Sequence, residues 1–135
     1  MRTNELRGVA ALAIAVAAGC VGNPDLVVVP ATGAGTSPSD YCRRDAAGLL
    51  LVEVRNQGDD DAPATVTRVT APALGAYEVA VPTPPIAAGT SAMLPPVDML
   101  NCLSPACSFI IRVDSDGAVP EASETNNEST GACPP

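Results

Sequence analysis

Short runs in which apolar and polar residues alternate, separated by turn residues, follow one another along most of the chain. Every second residue is apolar in 109–113, in 50–54 and in 77–81, which is the period of a β-strand with one buried face. The third predicted strand fits least well, because Val66 and Val69 fall on opposite faces unless a bulge lies between them. In total we predict seven strands, over Asp25–Val29, Leu49–Asn56, Thr65–Thr70, Tyr77–Val81, Ser91–Leu94, Phe109–Asp114 and Glu128–Ala132.

Proline and turn residues argue against long helices. The chain of 135 residues contains 14 prolines, most of them between positions 24 and 105, and a proline inside a helix removes a backbone hydrogen bond. The turn sequences Asn56-Gln57-Gly58 and Asp116-Gly117 follow two of the predicted strands. Many short strands joined by such turns are typical of an all-β sandwich, and the length fits one domain with a modest core.

The first 19 residues have the pattern of an export signal. Arg2 and Arg7 precede an apolar run from Val9 to Ala18, which ends in small residues. This run is too short to remain as a span across a bilayer of about 30 Å, so we expect it to be removed. The predicted organisation is a cleaved signal peptide over 1–19, a short tether over 20–24 and a β-sandwich domain over 25–135.

The residues around Cys20 resemble a bacterial lipoprotein signal, in which that cysteine becomes the acylated N-terminus. Ala17 stands where such signals usually have leucine, and Val21 stands where aspartate often marks inner-membrane retention. The resemblance implies lipidation at Cys20, so that the exported protein is anchored to the bacterial cell envelope at the outer membrane. The alternative is ordinary secretion, in which Cys20 is lost with the signal.

Four cysteines remain after Cys20, at positions 42, 102, 107 and 133. An even number in an oxidising compartment predicts two disulfides, for which three pairings exist. The favoured pairing joins Cys42 to Cys133 and Cys102 to Cys107, and the alternative joins Cys42 to Cys102 or Cys107. A zinc site at Cys102 and Cys107 is less favoured, because their spacing is at the edge of the ligand range and exported thiols oxidise.

The composition excludes most catalytic chemistry and nucleic-acid binding. The chain has no histidine and no lysine, so it has neither an imidazole base nor an amine for a Schiff base. Its formal net charge of −8 becomes −9 when the signal is removed, and this charge opposes contact with nucleic acid. Three aromatic residues cannot form a stacking platform for sugars or bases. We therefore predict a protein that is not an enzyme and that has no organic cofactor and no nucleic-acid partner.

Strands that run alternately up and down bring many acids to one end of the sandwich and the four cysteines to the other. The tether from Cys20 then emerges at the acidic end, which faces the bilayer. Carboxylate oxygens are the ligands that calcium prefers, although loop acids also lie in solvent and cap turn amides. The acidic end collects Asp59, Asp60, Asp61, Asp114, Asp116, Glu121 and Glu124, of which all but Asp114 are candidate calcium ligands.

The segment from Asp114 to Asn127 carries the most specific motif of the chain. Its characteristic residues are Asp114, Asp116, Gly117, Val119, Glu121, Glu124, Asn126 and Asn127. Together with Asn56-x-Gly58 and the turn Ala87-Ala88-Gly89, this motif resembles the CARDB domain, a cell-adhesion-related module found in bacteria. The resemblance covers residues 24–133. The chain departs from the family pattern in its four cysteines, and its module stands alone instead of within a larger surface protein.

This resemblance implies an immunoglobulin-like, seven-stranded antiparallel β-sandwich with a binding or spacer role. Gly117 is expected to allow a tight turn and Val119 to pack against the core, while Glu121, Glu124 and the two asparagines bond loop amides. The leading hypothesis is a non-catalytic exported lipoprotein, whose single adhesion-type module binds another envelope protein or a matrix component. The alternatives are a purely structural envelope protein without a defined ligand and a calcium-binding module.

Overall fold

Antiparallel pairing arranges seven strands in two sheets. In the computed structural model, which describes residues 22–104 and 106–134, three strands form a sheet in the order β1-β2-β5 and four form a sheet in the order β4-β3-β6-β7. The predicted all-β class is therefore confirmed. The strands are β1 (Leu26–Val28), β2 (Glu53–Asn56), β3 (Thr65–Ala71), β4 (Tyr77–Thr83), β5 (Ser91–Met93), β6 (Ser108–Arg112) and β7 (Glu128–Ala132), and two short 3₁₀ helices span Pro38–Tyr41 and Pro72–Leu74.

Most strand limits agree with the prediction, and two exceptions have a local cause. The second strand is predicted from Leu49 but β2 begins at Glu53, because Leu50 forms separate bridges with Arg44 and Val97. The sixth strand ends at Arg112, because Asp114 adopts a left-handed backbone with φ of 50° that turns the chain. The predicted signal peptide and Cys20 lie outside the described residues.

The alternating residues form the core between the sheets. Side chains at positions 50, 52 and 54 and at positions 109, 111 and 113 are all buried, as the pattern predicts. In β3 the inward residues are Thr67, Val69 and Ala71, and the pairing with β4 is continuous, so Val66 and Val69 lie on opposite faces with no bulge between them. Thr67 can lie in the core because its hydroxyl forms a 2.7 Å hydrogen bond with that of Thr83.

The single phenylalanine is packed against a glycine in the neighbouring strand. Phe109 of β6 is fully buried and lies opposite Gly131 of β7. A Cβ atom at position 131 would collide with the Phe109 ring, so only glycine allows this contact. The largest core side chain is thus accommodated by the smallest residue beside it.

The loops sort to two ends of the fold, as predicted. The acidic end is defined here as residues 22–25 with the β2–β3, β4–β5 and β6–β7 loops. The cystine end is defined as the β3–β4 and β5–β6 loops with the disulfides Cys42–Cys133 and Cys102–Cys107. These two disulfides are the favoured pairing of the sequence analysis. No described helix is long and apolar enough to cross a membrane.

Candidate functional site

The predicted motif residues meet around the start of β1, at the acidic end. Asp25 and Val29 form backbone hydrogen bonds with the β2 side, so the amide and carbonyl of Leu26 point to the open edge of the sheet. The Glu121 carboxylate accepts a 2.6 Å hydrogen bond from the Leu26 amide, and Asn127 Nδ2 donates to the Leu26 carbonyl at 3.3 Å. These two side chains take the place of a neighbouring strand and cover the edge of β1.

Asp25 is held by side chains from both sides of the acidic end. Asn126 Nδ2 donates to its Oδ1, and Gln57 Nε2 donates to its Oδ2, each at 2.9 Å. Because Asn126 lies in the β6–β7 loop and Gln57 follows β2, Asp25 connects the two sheets through charge-assisted bonds. The start of the domain is therefore fixed at several points.

Asn56 joins the remaining loops of the acidic end. It is fully buried, and its Oδ1 accepts hydrogen bonds from the amides of Asp25 and Gly58, both at 3.0 Å. Its Nδ2 donates to the carbonyls of Asp60 at 2.8 Å and Ile86 at 3.0 Å. All four hydrogen-bonding positions of the side-chain amide are thus used, in three different segments of the chain.

Gly58 lets the N-terminal segment approach this network. A Cβ atom at position 58 would collide with the Asn23 carbonyl oxygen and with the backbone of Pro24 and Asp25. The Asn-x-Gly pattern at the end of β2 therefore has two physical reasons. Its asparagine bonds the loops, and its glycine leaves room for residues 23–25.

The turn after β6 is built on the buried carboxylate of Asp114. This group accepts hydrogen bonds from the Thr65 hydroxyl at 2.6 Å and from the amides of Ala118 and Val119, both at 3.1 Å. Gly117 has a φ of 65°, which glycine adopts without strain, and Val119 is buried. The Gly117 amide donates to the Asp114 carbonyl at 2.9 Å, which closes a tight turn at Gly117.

Of the six predicted calcium ligands only Glu121 and Glu124 come together, and they are joined by Asp114, which was not among the six. Among the described residues, Asp114, Glu121 and Glu124 form a group whose carboxylate oxygens lie within 4.8 Å of one another, beside an open cavity of about 480 Å³. Asp59, Asp60, Asp61 and Asp116 do not belong to this group.

Nearby donors bind two of the other acids, and donors also occupy the three-residue group where a metal ion would bind. Asp116 forms an ion pair with Arg68, and Asp61 accepts a hydrogen bond from the Ala88 amide in the β4–β5 loop. Within the three-residue group, the Glu124 carboxylate accepts a 2.9 Å hydrogen bond from the Glu121 amide. Glu121 and Asp114 accept hydrogen bonds from the donors described above. The group therefore already acts as a set of acceptors that order the β6–β7 loop.

Burial raises the pKa of Glu121 to about 7. The Leu26 amide and Asn127 oppose this shift, whereas the negative charges of Glu124 and Asp114 add to it. Glu121 thus carries a proton in part of the molecules at neutral pH, although it lies between two hydrogen-bond donors.

We expect Glu121 to make the folded state less stable as the pH rises. Its pKa in the folded state lies above the usual value of 4.5, so its contribution is fully present below pH 4.5 and is lost as the pH rises through about 7. After allowance for solvent screening, the free energy of unfolding of the wild type relative to Glu121→Gln should fall by about 1–2 kcal/mol over this range. Urea unfolding of both proteins at several pH values measures this difference. If the unfolding free energies of the two proteins change with pH in parallel, the expectation is contradicted.

Two important partners in this network were not singled out from the sequence. From the sequence, Asp25 is only the first residue of a predicted strand and Gln57 only the variable position of the Asn-x-Gly turn, and Asp25 is 101 residues from Asn126. Alternation marks which face of a strand is buried, but it carries no signal for hydrogen bonds between distant loops.

Comparison with known proteins identifies one family. The family model described as CARDB matches residues 23–131, which include β1 to β6, all but the last residue of β7, and the acidic end from Asn23 onward. No curated protein and no solved structure matches the chain. The matched segment begins at Asn23, where the backbone contacts of the acidic end begin.

Proposed function

The chain belongs to the CARDB family, and we propose that it is a non-catalytic exported lipoprotein whose single adhesion-type module binds another envelope protein or a matrix component. CARDB is an adhesion-related family of non-enzymatic domains and is found in bacterial extracellular proteins. The observation that carries the proposal is the match over 23–131, because it takes in both sheets and all but the last residue of β7. The two antiparallel sheets support the immunoglobulin-like arrangement. Within it, β4 pairs with β3 and so belongs to the four-stranded sheet.

The proposed organisation is a signal peptide over 1–19, a tether over 20–24 and the β-sandwich from residue 25. The Asn23 carbonyl accepts a hydrogen bond from the Asp59 amide and the Pro24 carbonyl accepts one from the Ala122 amide, so the last two residues of the proposed tether are already bonded to the domain. The acidic end then faces the outer membrane to which Cys20 is anchored, and the cystine end points away from it.

Mass spectrometry of the mature N-terminus tests the anchor. We expect an acylated Cys20, and we expect Cys20→Ala to leave the protein unprocessed or free of the membrane fraction. A mature chain that starts beyond position 20 without a lipid would contradict the lipoprotein assignment.

The binding role is tested with the purified, folded domain. A specific partner from the envelope should bind it saturably, and the purified pair should reproduce the affinity. If no saturable partner is found, the alternative of a purely structural envelope protein is favoured.

Calcium binding is a second candidate, favoured by the Asp114, Glu121 and Glu124 group. If calcium binds there, millimolar calcium raises the melting temperature, the chelator reverses the rise, and Glu124→Gln abolishes it. Asp61→Asn is the matched control, because Asp61 lies outside the group and should leave the rise intact. A melting temperature that calcium does not change excludes this candidate.

A further inference from the structure

Strand β4 is the long edge of the fold that no other described segment covers. Among the described residues, the strands at sheet edges are β1, β5, β4 and β7. Glu121 and Asn127 cover β1, and the Pro38–Tyr41 helix packs against β7. β5 has only three residues and is followed by Pro95 and Pro96, which cannot donate to a ladder. β4 has seven residues, and among the described residues its backbone is bonded to β3 alone.

The pairing with β3 shows which backbone groups of β4 are free. The Val66 carbonyl accepts a 3.0 Å hydrogen bond from the Ser115 amide, so the backbone groups of Val66 point to the β6 side. Since this direction alternates along a strand, positions 66, 68 and 70 of β3 all face β6. Their partners in β4, which are Pro82, Ala80 and Glu78, therefore point their backbone groups to solvent. The free edge offers two amides, because proline has none.

Pro82 limits how another strand can pair with this edge. Its ring occupies the place of the missing N–H and would collide with a strand laid against it, so the ladder is confined to Glu78 and Ala80. For a second copy of β4 in antiparallel orientation, this leaves the register centred on Val79, in which Glu78 pairs with Ala80 of the other copy. Pro82 then lies opposite Ala76, whose φ of 62° has already turned the chain out of the strand.

A second copy satisfies the edge completely in that register. In each copy the amides of Glu78 and Ala80 donate to the carbonyls of Ala80 and Glu78 of the other, so all the free amides of both edges are bonded. The two Val79 side chains meet at the two-fold axis. Glu78 is the only charged residue of β4, and residues 79–97 are the longest uncharged stretch of a chain whose net charge is −8. Two acidic chains therefore meet here with little like-charge repulsion.

The charge of Glu78 is complemented by the other copy. Glu78 forms a 3.2 Å ion pair with Arg68, which lies opposite Ala80 in β3. In the pair, Glu78 of one copy lies beside Ala80 of the other, and the small alanine leaves room for Arg68 of that copy to reach across it. Two glutamates and two arginines then alternate around the two-fold axis.

We propose that β4 is a homophilic edge, at which two copies of the chain pair antiparallel about Val79 and join their four-stranded sheets into one. The inference rests on the proposed binding function, because it names the partner as a second copy. The two-fold axis reverses the module, so the acidic end of one copy lies beside the cystine end of the other. Copies anchored at Cys20, as proposed, therefore pair between two facing membranes, where many copies strengthen a short ladder.

The first experiment measures the pairing of full chains purified in detergent. Energy transfer between two differently labelled preparations gives the dissociation constant. Ala80→Glu places like charges opposite each other at two points of the ladder and should weaken pairing at least about 10-fold. The double variant Glu78→Arg, Ala80→Glu restores opposite charges and should pair like the wild type.

Ser91→Glu is the matched control, because it adds the same charge at an exposed position on β5 and should pair like the wild type. Since positions 78, 80 and 91 are all exposed, the melting temperatures of the variants should stay within a few degrees of the wild type. Absence of energy transfer between wild-type copies would overturn the inference, as would equal weakening by Ala80→Glu and Ser91→Glu. Failure of the folded double variant to recover pairing would overturn the register about Val79.

The second experiment tests the arrangement between membranes. Phosphatidylcholine vesicles that carry the acylated wild-type chain should cluster, those with Ala80→Glu should stay dispersed, and those with the double variant should cluster again. Pairing in detergent without clustering of vesicles would overturn the arrangement between facing membranes.

The failures are distinguishable. If wild-type copies do not pair while the purified domain binds another envelope protein saturably, the second copy is overturned and the proposed binding function stands. If Ala80→Glu also abolishes that binding, the edge takes a strand of another protein. If neither a second copy nor any saturable partner binds, the inference and the proposed binding function both fail.

Discussion

Replacing Asn56 with alanine is expected to lower the free energy of unfolding by about 3–5 kcal/mol. The substitution removes all four hydrogen bonds of a fully buried side-chain amide. It leaves the amides of Asp25 and Gly58 and the carbonyls of Asp60 and Ile86 without that partner. A buried polar group that loses its partner costs about 1–3 kcal/mol, and water that enters the small cavity recovers part of the sum. Urea unfolding of the purified mature chain measures the loss.

Gln57→Ala is the matched control, because the two residues are neighbours and both are carboxamides. Gln57 is exposed and donates one side-chain hydrogen bond, to Asp25. Its loss should cost no more than about 1 kcal/mol. Equal effects of the two substitutions would contradict the central role of Asn56. Since Asn56 holds the segment that follows the proposed tether, its loss should also increase proteolysis of residues 22–26 in the folded protein.

The strands could be predicted because their signal is local. Burial of one face imposes a period of two, so positions 109, 111 and 113 mark their strand without knowledge of its neighbours. The third strand shows the limit of this rule. Thr67 points inward because Thr83 lies beside it and satisfies its hydroxyl, and that partner is known only when the pairing of β3 with β4 is known.

The sequence predicts that the acidic loops lie at one end of the fold, but it does not predict which of their side chains contact one another. Strand order brings the acidic loops together, and the structure agrees. Which acids then meet depends on donors that differ from loop to loop. Arg68 binds Asp116, and the Ala88 amide binds Asp61, so these acids are separated from Glu121 and Glu124. Contacts of this kind depend on differences of an ångström, which composition and spacing do not encode.

The two ends of the domain have different physical characters, and this difference organises the proposed function. At the acidic end, hydrogen bonds to Asp25 and Leu26 fix the chain where the proposed tether leaves it. At the cystine end, the disulfides Cys42–Cys133 and Cys102–Cys107 hold the loops together covalently. If Cys20 carries the anchor, as proposed, the cystine end is the one that points away from the membrane.

Removing the disulfide between Cys42 and Cys133 is expected to destabilise the domain more than removing the one between Cys102 and Cys107. The first joins residues 91 positions apart and the second joins residues 5 positions apart. In the chain-entropy model a crosslink restricts the unfolded chain more when its loop is longer. The expected losses are about 4–5 kcal/mol for the double variant Cys42→Ala, Cys133→Ala and about 2 kcal/mol for Cys102→Ala, Cys107→Ala. Since a small domain is stable by about 5–15 kcal/mol, the first loss is a large fraction of the total.

Denaturant unfolding of the two double variants measures this difference, and the pair controls for the loss of buried sulfur. A larger loss in the Cys102 and Cys107 variant would contradict the entropic argument and assign the stability to the β5–β6 loop.

The longer crosslink, Cys42–Cys133, also has a local consequence. It holds the Pro38–Tyr41 helix against β7, one of the two edge strands of the four-stranded sheet. Without the crosslink that edge should open more often, so the Cys42 and Cys133 variant should also aggregate at concentrations where the other variant does not.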